Sequence, residues 1–117
     1  MTEKNTPIGK PVLQITKEIL VLVAENIPTH WRILGYLLHL DDSVIERIDV
    51  DHRYVTEKGL YILKEWQIKD GDEATLEKLM SVLDKLPRKD ITAKIRKIMS
   101  KTIHKLLLAF LLLNFDV

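Results

Sequence analysis

The 117-residue sequence contains no cysteine, which excludes disulfide bonds and thiol chemistry and favours a reducing compartment, so a cytoplasmic location is expected. Aromatic residues make up only 6% of the chain. The N-terminal residues MTEKNTPIGKP contain no apolar core of the signal-peptide type, so we do not expect secretion. The uninterrupted apolar run at residues 106–113 has eight residues. Since a membrane-spanning helix needs about 20, this run is too short to span a bilayer.

Sequence patterns typical of enzymes are also missing. The chain has no Gly-x-Ser-x-Gly, no glycine-rich phosphate loop and no His-Glu-x-x-His. Its four histidines are scattered, and its two Asp-x-Asp pairs, at positions 49–51 and 70–72, lack the glycine and the glutamate of a calcium-binding loop. We therefore expect no enzyme activity, no metal site, no cofactor and no small-molecule substrate.

The composition is that of a single globular domain. Hydrophobic residues make up 46% of the chain and charged residues 30%, which is typical of a folded rather than a disordered protein. A compact chain of this length has a radius of gyration of roughly 13 Å. No useful stretch alternates with the period of a strand, whereas apolar residues recur every three or four positions, and this predicts an all-α protein.

Residues 31–48, WRILGYLLHLDDSVIERI, predict two short helices around an acidic turn. The first of these two, which is the second helix of the chain, is predicted to bury Trp31, Leu34, Gly35 and Leu38. Thr29 is its predicted N-cap. The other, which is the third helix of the chain, is predicted to begin at Ser43, which forms a capping box with Glu46, and to bury Ile45 and Ile48.

Four further helices complete the pattern. A first helix is predicted from Pro11 to Ile27, a fourth after an N-cap at Thr56, a fifth over residues 72–86, and a sixth after a cap at Asp90. Glycine inside the fourth helix, at Gly59, costs up to about 1 kcal/mol against alanine and therefore predicts a close helix crossing. Six helices joined by short turns predict an antiparallel bundle.

An ordered set of short patterns resembles the death domain of the death-fold superfamily, from about residue 19 to residue 98. These patterns are HWRILG at residues 30–35, the helix at 43–49, LKEW at 63–66, ATL at 74–76 and DI at 90–91. The resemblance implies a six-helix antiparallel Greek-key bundle without catalysis. It also implies an adaptor or receptor segment that binds other death-domain proteins and copies of itself in apoptotic or inflammatory signal transduction.

The chain is predicted to contain three parts: a flexible N-terminal arm over residues 1–11, the death domain over 12–102, and an apolar C-terminal helical extension over 103–117. Three arrangements of the extension are considered. It folds back over the bundle, pairs with a neighbouring molecule, or belongs to a longer apolar segment in a membrane. We favour the first two, because a helical stripe continues through the junction from Ile95 to Ala109.

Charge is distributed unevenly along the chain, although its net charge is only +1. Residues 41–84 contain twelve acidic and six basic residues, whereas residues 85–105 contain eight basic residues and a single acidic one. The two stretches neutralise each other within one molecule, or they meet between molecules. A further alternative is a small nucleic-acid-binding domain that uses the basic sixth helix. The acidic half and the lack of interleaved aromatic residues make nucleic acid the less favoured partner.

Three groups of residues are predicted to bind protein partners. The acidic group on the third helix consists of Asp41, Asp42, Glu46 and Asp49. The apolar group on the outward side of the second helix consists of Ile33, Tyr36 and Leu37. The basic group near the start of the sixth helix consists of Arg88, Lys89, Lys94, Arg96 and Lys97.

Overall fold

The computed structural model describes residues 14–88 and 90–115, and this part of the chain contains six α-helices, one short 3₁₀ turn and no strand. The helices are α1 (Lys17–Asn26), α2 (Trp31–Leu37), α3 (Asp42–Asp51), α4 (Val55–Asp70), α5 (Leu76–Leu83) and α6 (Asp90–Phe115). The 3₁₀ turn, Gly71–Glu73, connects α4 to α5. The predicted all-α, six-helix antiparallel Greek-key bundle is confirmed.

Helix α4 is the centre of the bundle and packs against α1, α2 and α3, while α6 covers α1 and α5. Its buried side contains Ile62, Leu63 and Trp66, which are at most 1% exposed. The indole Nε1 of Trp66 donates to Oδ2 of Asp70 over 2.9 Å, so the buried ring keeps a partner for its polar atom. Trp31 is 8% exposed and lies in the same core, as its spacing with Leu34 and Leu38 predicted.

Gly59 lies where α4 crosses α1. A Cβ at this position would be 3.5 Å from the Cα of Ala24, which is ordinary contact distance to the backbone of α1. The two helices approach closely because neither residue has a long side chain there. This geometry confirms the close crossing that the glycine predicted.

Several predicted helix starts are wrong by a few residues. Helix α1 begins at Lys17 and not near Pro11, because the hydroxyl of Thr16 accepts from the N–H of Ile19 over 3.2 Å and caps the helix there. Ile15 therefore precedes the helix, and the rest of the predicted start lies outside the described residues. Helix α5 likewise begins at Leu76, after the capping hydroxyl of Thr75.

Other predicted caps do not form. Helix α2 follows His30 rather than Thr29, and α4 begins at Val55, one residue before the predicted cap Thr56. Asp90 is the first residue of α6.

The predicted capping box of α3 is also wrong. Helix α3 begins at Asp42, with Ser43 already inside it, and the N-cap Asp41 makes no side-chain capping bond. The carboxylate of Glu46 bonds to Arg32 of α2 instead. This bond joins two opposite charges, whereas in a capping box the same carboxylate would accept from an uncharged backbone N–H.

Helix α6 extends well beyond the bundle. Its 26 residues span about 39 Å at 1.5 Å per residue. Residues 100–113 are all exposed, so the expectation that the extension folds back over the bundle is wrong. The projection also explains why the radius of gyration is 16.8 Å and not the roughly 13 Å of a compact chain. Among the described helices, none is both long enough and apolar enough to cross a membrane.

Candidate protein-binding surfaces

The acidic surface, which we define as Asp41, Asp42, Glu46 and Asp49, lies along α3. The opposite side of this helix is fixed to the core by Ile45 and Ile48, which are 0% and 3% exposed. The carboxylates therefore lie on the outer side, where Asp41, Asp42 and Glu46 are exposed and Asp49 is half-buried.

Two basic side chains from neighbouring helices bind the C-terminal half of this surface. Arg32 of α2 donates to Glu46 over 2.6 Å and to Asp49 over 2.9 Å. Lys58 of α4 forms a further ion pair with Asp49. The guanidinium of Arg32 also lies 4.8 Å from the ring centroid of Trp31, a cation–π contact at the edge of the core.

These contacts change which carboxylates are available to a partner. The hydrogen bond from Lys58 holds the pKa of Asp49 below its ordinary value, with smaller contributions from Arg32. Glu46 and Asp49 are therefore engaged within the molecule, whereas Asp41 and Asp42 make no ion pair with another described residue. Reversing the charge of Glu46 would also disturb the contact between α2 and α3, so Asp42 is the better position for testing the surface.

The apolar group on α2 is only partly exposed. Ile33 and Tyr36 are 47% and 46% exposed, but Leu37 is half-buried and packs against the core. Burial lowers the pKa of Arg32, but its interactions with carboxylates, chiefly with Glu46, outweigh that effect and raise it. Arg32 thus joins the exposed apolar residues of α2 to the acidic surface of α3.

The basic surface, which we define as Arg88, Lys89, Lys94, Arg96 and Lys97, surrounds the start of α6. Lys89 lies outside the described residues. Arg88 donates to the backbone carbonyl of Asn26 over 2.6 Å, and Lys94 donates to the Asn26 side chain over 2.8 Å. These two bonds connect the start of α6 to the end of α1.

Asp90 completes this junction. Arg88 donates to its two carboxylate oxygens over 2.9 and 2.7 Å, and Lys94 lies 3.6 Å from it. The hydrogen bonds from Arg88 are the main reason why the pKa of Asp90 falls to about 2. Arg96 and Lys97 are exposed and make no ion pair with another described residue, so they are the part of this surface that is open to a partner.

Sequence reasoning missed Arg32, Lys58 and Asn26, although each helps to build one of these surfaces. The bonds of Arg32 join residues 14 and 17 positions apart, and the Arg88–Asn26 bond spans 62 positions. Such separations exceed the three or four residues over which helical spacing places side chains together. No local signal in the sequence points to these partners.

The acidic and basic surfaces lie on different parts of the bundle. Helix α3 packs against α2 and α4, whereas α6 packs against α1 and α5, and α1 and α4 pack against each other. Two helices therefore separate the surfaces. Opposite charges separated in this way are available to meet between molecules.

The model of the death domain family matches residues 17–99, which include all six helices of the bundle. The chain belongs to the death-domain family. Residues 100–113, the exposed part of α6, lie beyond this match.

This death domain is also similar to a subunit of a larger assembly. It is 28% identical over 91 residues to THO complex subunit 1 of Homo sapiens and 29% identical over 91 residues to THO complex subunit 1 of Mus musculus. Each match covers 78% of this chain and 14% of the relative, so the chain spans about a seventh of the length of either protein.

Proposed function

We propose that this death domain is a non-enzymatic interaction module that assembles with other death-domain proteins and with copies of itself. The observation that carries the proposal is the separation of an exposed acidic surface on α3 from an exposed basic surface on α6, within a family of protein-interaction domains. Electrostatic complementarity between such surfaces favours association and determines its orientation.

The proposed contact joins two different surfaces, so it is head-to-tail. Asp41 and Asp42 of one molecule lie against Arg96 and Lys97 of the next, and Ile33 and Tyr36 add apolar area beside the acidic residues. A head-to-tail contact leaves each end of a pair open for another molecule. Repetition of the contact generates a ring or a helical filament rather than a closed dimer.

The cellular setting forms a separate part of the proposal. The family resemblance supports signal transduction of the apoptotic or inflammatory type by an adaptor in the cytoplasm. The name of the mammalian relatives describes a complex subunit, which supports a role in holding a multiprotein assembly together. Both settings require the same activity, the binding of one helical domain to another protein.

The proposed contact is tested by reversing one charge on each surface of the full chain. Asp42→Lys and Arg96→Glu are each expected to weaken self-association at least about tenfold, because either places like charges together. An equimolar mixture restores association, since each variant keeps the surface that the other has lost. Sedimentation velocity over a range of concentrations, at low and at physiological salt, measures all four samples.

Asp72→Lys and Lys64→Glu are matched controls, because both residues are exposed and lie outside the two surfaces. Both controls are expected to associate like the wild type, with circular dichroism melts confirming that every variant folds. Concentration-independent monomers in all samples would exclude self-assembly through these surfaces. Equal loss in controls and test variants would reduce the effect to net charge alone.

Nucleic-acid binding through α6 is the alternative function. Two of the basic residues that it would use, Arg88 and Lys94, are bound to Asn26 and Asp90 within the molecule. A mobility-shift assay with random duplex DNA and RNA separates the two functions, since nucleic-acid binding must weaken steeply with salt. The interaction-module proposal expects no shift at physiological salt.

A further inference from the structure

From Leu106 to Leu113, α6 is apolar on every side. We call residues 103–113 the leucine-rich segment. Successive residues of a helix are rotated by about 100°, so its large side chains are spread around the whole circumference. Those between 48% and 78% exposed are Ile103, Leu106, Leu107, Leu108, Phe110, Leu111, Leu112 and Leu113. A helix that is apolar all round requires an apolar environment on most of its sides.

A basic stripe runs down the same helix towards this segment. Lys94, Lys97, Lys101 and Lys105 are spaced three, four and four residues apart, which places them along one side of α6. All four are exposed, and they lie on a different side from Ile91 and Ile95, which face the bundle. Lys94 is paired with Asp90 at the start of α6. The sequence contains no acidic residue between positions 91 and 115, so Lys97, Lys101 and Lys105 are not neutralised along their own helix.

The leucine-rich segment has polar boundaries and a definite length. His104 and Lys105 lie near its N-terminal end, and Asn114 and Asp116 follow it. The apolar run at residues 106–113 covers seven helical steps, about 10.5 Å at 1.5 Å per residue. One leaflet of the hydrocarbon core is about 15 Å thick, so it can contain this run in a tilted helix whose two polar ends stay near the headgroups.

A second copy of the helix covers the segment poorly. Two paired helices bury one stripe of each and leave the outer sides in water, whereas the exposed leucines here lie on every side. Parallel pairing would also bring the lysine stripes of the two copies together, and like charges repel. A lipid bilayer surrounds a helix completely, and anionic headgroups complement the lysines.

We propose that the leucine-rich segment inserts into one leaflet of an anionic lipid bilayer, with Lys101 and Lys105 among the phosphates of the headgroups. The insertion anchors the domain without spanning the membrane. Long lysine side chains reach the headgroup region while their aliphatic parts remain beside apolar chains. Apolar burial and attraction to anionic lipid act together, as they do for amphipathic helices that lie at membrane interfaces.

Vesicle flotation of the full chain tests the proposal. Vesicles of phosphatidylcholine with 30% phosphatidylserine, a chosen anionic content, are expected to bind at least about fivefold more protein than phosphatidylcholine alone. Leu107→Gln/Leu111→Gln removes apolar contacts, and Lys101→Gln/Lys105→Gln removes headgroup contacts, so each double variant is expected to lose most binding. Lys64→Gln/Ile68→Gln is the matched control, because it changes an exposed lysine and an exposed apolar residue on α4.

Insertion is distinguished from surface adsorption by a fluorescent reporter. Phe110 is 61% exposed, so Phe110→Trp places an indole in the leucine-rich segment. Lipids brominated in their acyl chains are expected to quench the fluorescence of this variant more than that of the wild type, whose only indoles are Trp31 and Trp66. Binding without added quenching would overturn insertion, and equal binding to both vesicle types would overturn the headgroup contacts.

Self-association is the competing outcome. Sedimentation velocity without lipid compares the wild type with Leu107→Gln/Leu111→Gln at matched concentration. If the apolar variant alone loses self-association and the wild type floats with neither vesicle, the segment binds other copies and the membrane proposal fails. The proposal expects these two proteins to sediment alike without lipid. It is independent of the contact between the acidic and basic surfaces, whose residues are intact in both proteins.

Discussion

Arg32 is the residue that connects two of the candidate surfaces. It lies over Trp31 and donates to Glu46 and Asp49 of α3. One guanidinium has enough donors, in a planar arrangement, to serve several acceptors at once. A cation therefore connects α2 to the acidic surface of α3.

Asp90 makes the stability of the domain depend on pH. Its folded-state pKa is about 2, below the ordinary value of 3.8, chiefly because Arg88 donates to it. A lowered carboxyl pKa contributes stability that is present above pH 3.8 and is lost as the pH falls towards 2. We predict that Asp90→Asn, which has no such titration, loses less stability than the wild type between pH 5 and pH 2.5, as measured by urea unfolding.

The control for Asp90 is Asp72→Asn, which changes an exposed carboxylate in the 3₁₀ turn. This variant is expected to follow the wild-type dependence on pH. In Asp90→Asn the free energy of unfolding still depends on pH to some extent, because the pKa values of Asp49 and Asp70 are also lowered by lysine partners. Parallel curves for the wild type and Asp90→Asn would show that the Arg88 contact does not stabilise the fold in solution.

A small residue, Gly59, fixes the separation of helices α1 and α4. Gly59 of α4 lies against the Ala24 backbone of α1, and α4 in turn carries the contacts with α2 and α3. A change in the distance between α1 and α4 would therefore spread to both candidate surfaces. Because packed interiors have few voids, this crossing has room for the Cβ of an alanine but not for a larger side chain.

Two substitutions of Gly59 are predicted to have opposite effects. Alanine fits, because its Cβ would lie 3.5 Å from the nearest atoms, and it removes the backbone entropy cost of glycine in a helix. Gly59→Ala should therefore raise the free energy of unfolding by up to about 1 kcal/mol. Gly59→Leu forces the helices apart and should lower it by about 1–3 kcal/mol or more.

Urea unfolding at neutral pH measures both Gly59 variants. A matched control is provided by Ser81, an exposed position of α5, where Ser81→Ala and Ser81→Leu should differ by no more than about 0.5 kcal/mol. If the leucine variant of Gly59 were as stable as the alanine variant, the close crossing of α1 and α4 would be wrong.

The whole molecule combines a bundle with a projecting helix. Its principal dimensions are 58 × 38 × 23 Å, and the length comes from the continuation of α6 beyond the bundle. The core ends on this helix with Ile95 and the half-buried Ile98 and Met99. Folding and the proposed membrane contact therefore use different parts of one helix.

Removal of residues 105–117 is predicted to leave the bundle as stable as in the full chain. The described side chains of this part, residues 105–113, are all exposed and contribute little to the core. Urea unfolding should show a change in the free energy of unfolding of no more than about 0.5 kcal/mol, as for surface changes generally. Truncation after residue 94 is the control and should unfold the domain, because it removes Ile95. A large loss of stability in the variant that lacks residues 105–117 would show that the extension covers the bundle.

The sequence by itself predicted the helices and most of the core. Helical spacing placed Trp31, Leu34 and Ile45 on buried faces, because the period of the helix brings every third or fourth residue to the same side. It also predicted the close crossing at Gly59. Predicted caps at Thr29, Ser43 and Thr56 were wrong, because several side chains near a helix start can cap it and tertiary contacts decide among them.

Only the tertiary structure decided which charges are bound and which are open. Glu46 and Asp49 meet Arg32, and Arg88 meets Asn26, because the packing of whole helices brings distant positions together. The structure likewise decided that the leucine-rich segment projects from the bundle and is exposed, whereas its composition shows only that it is apolar. Helical period is a local property of the backbone, whereas contacts between helices depend on packing distances and angles that no local pattern contains.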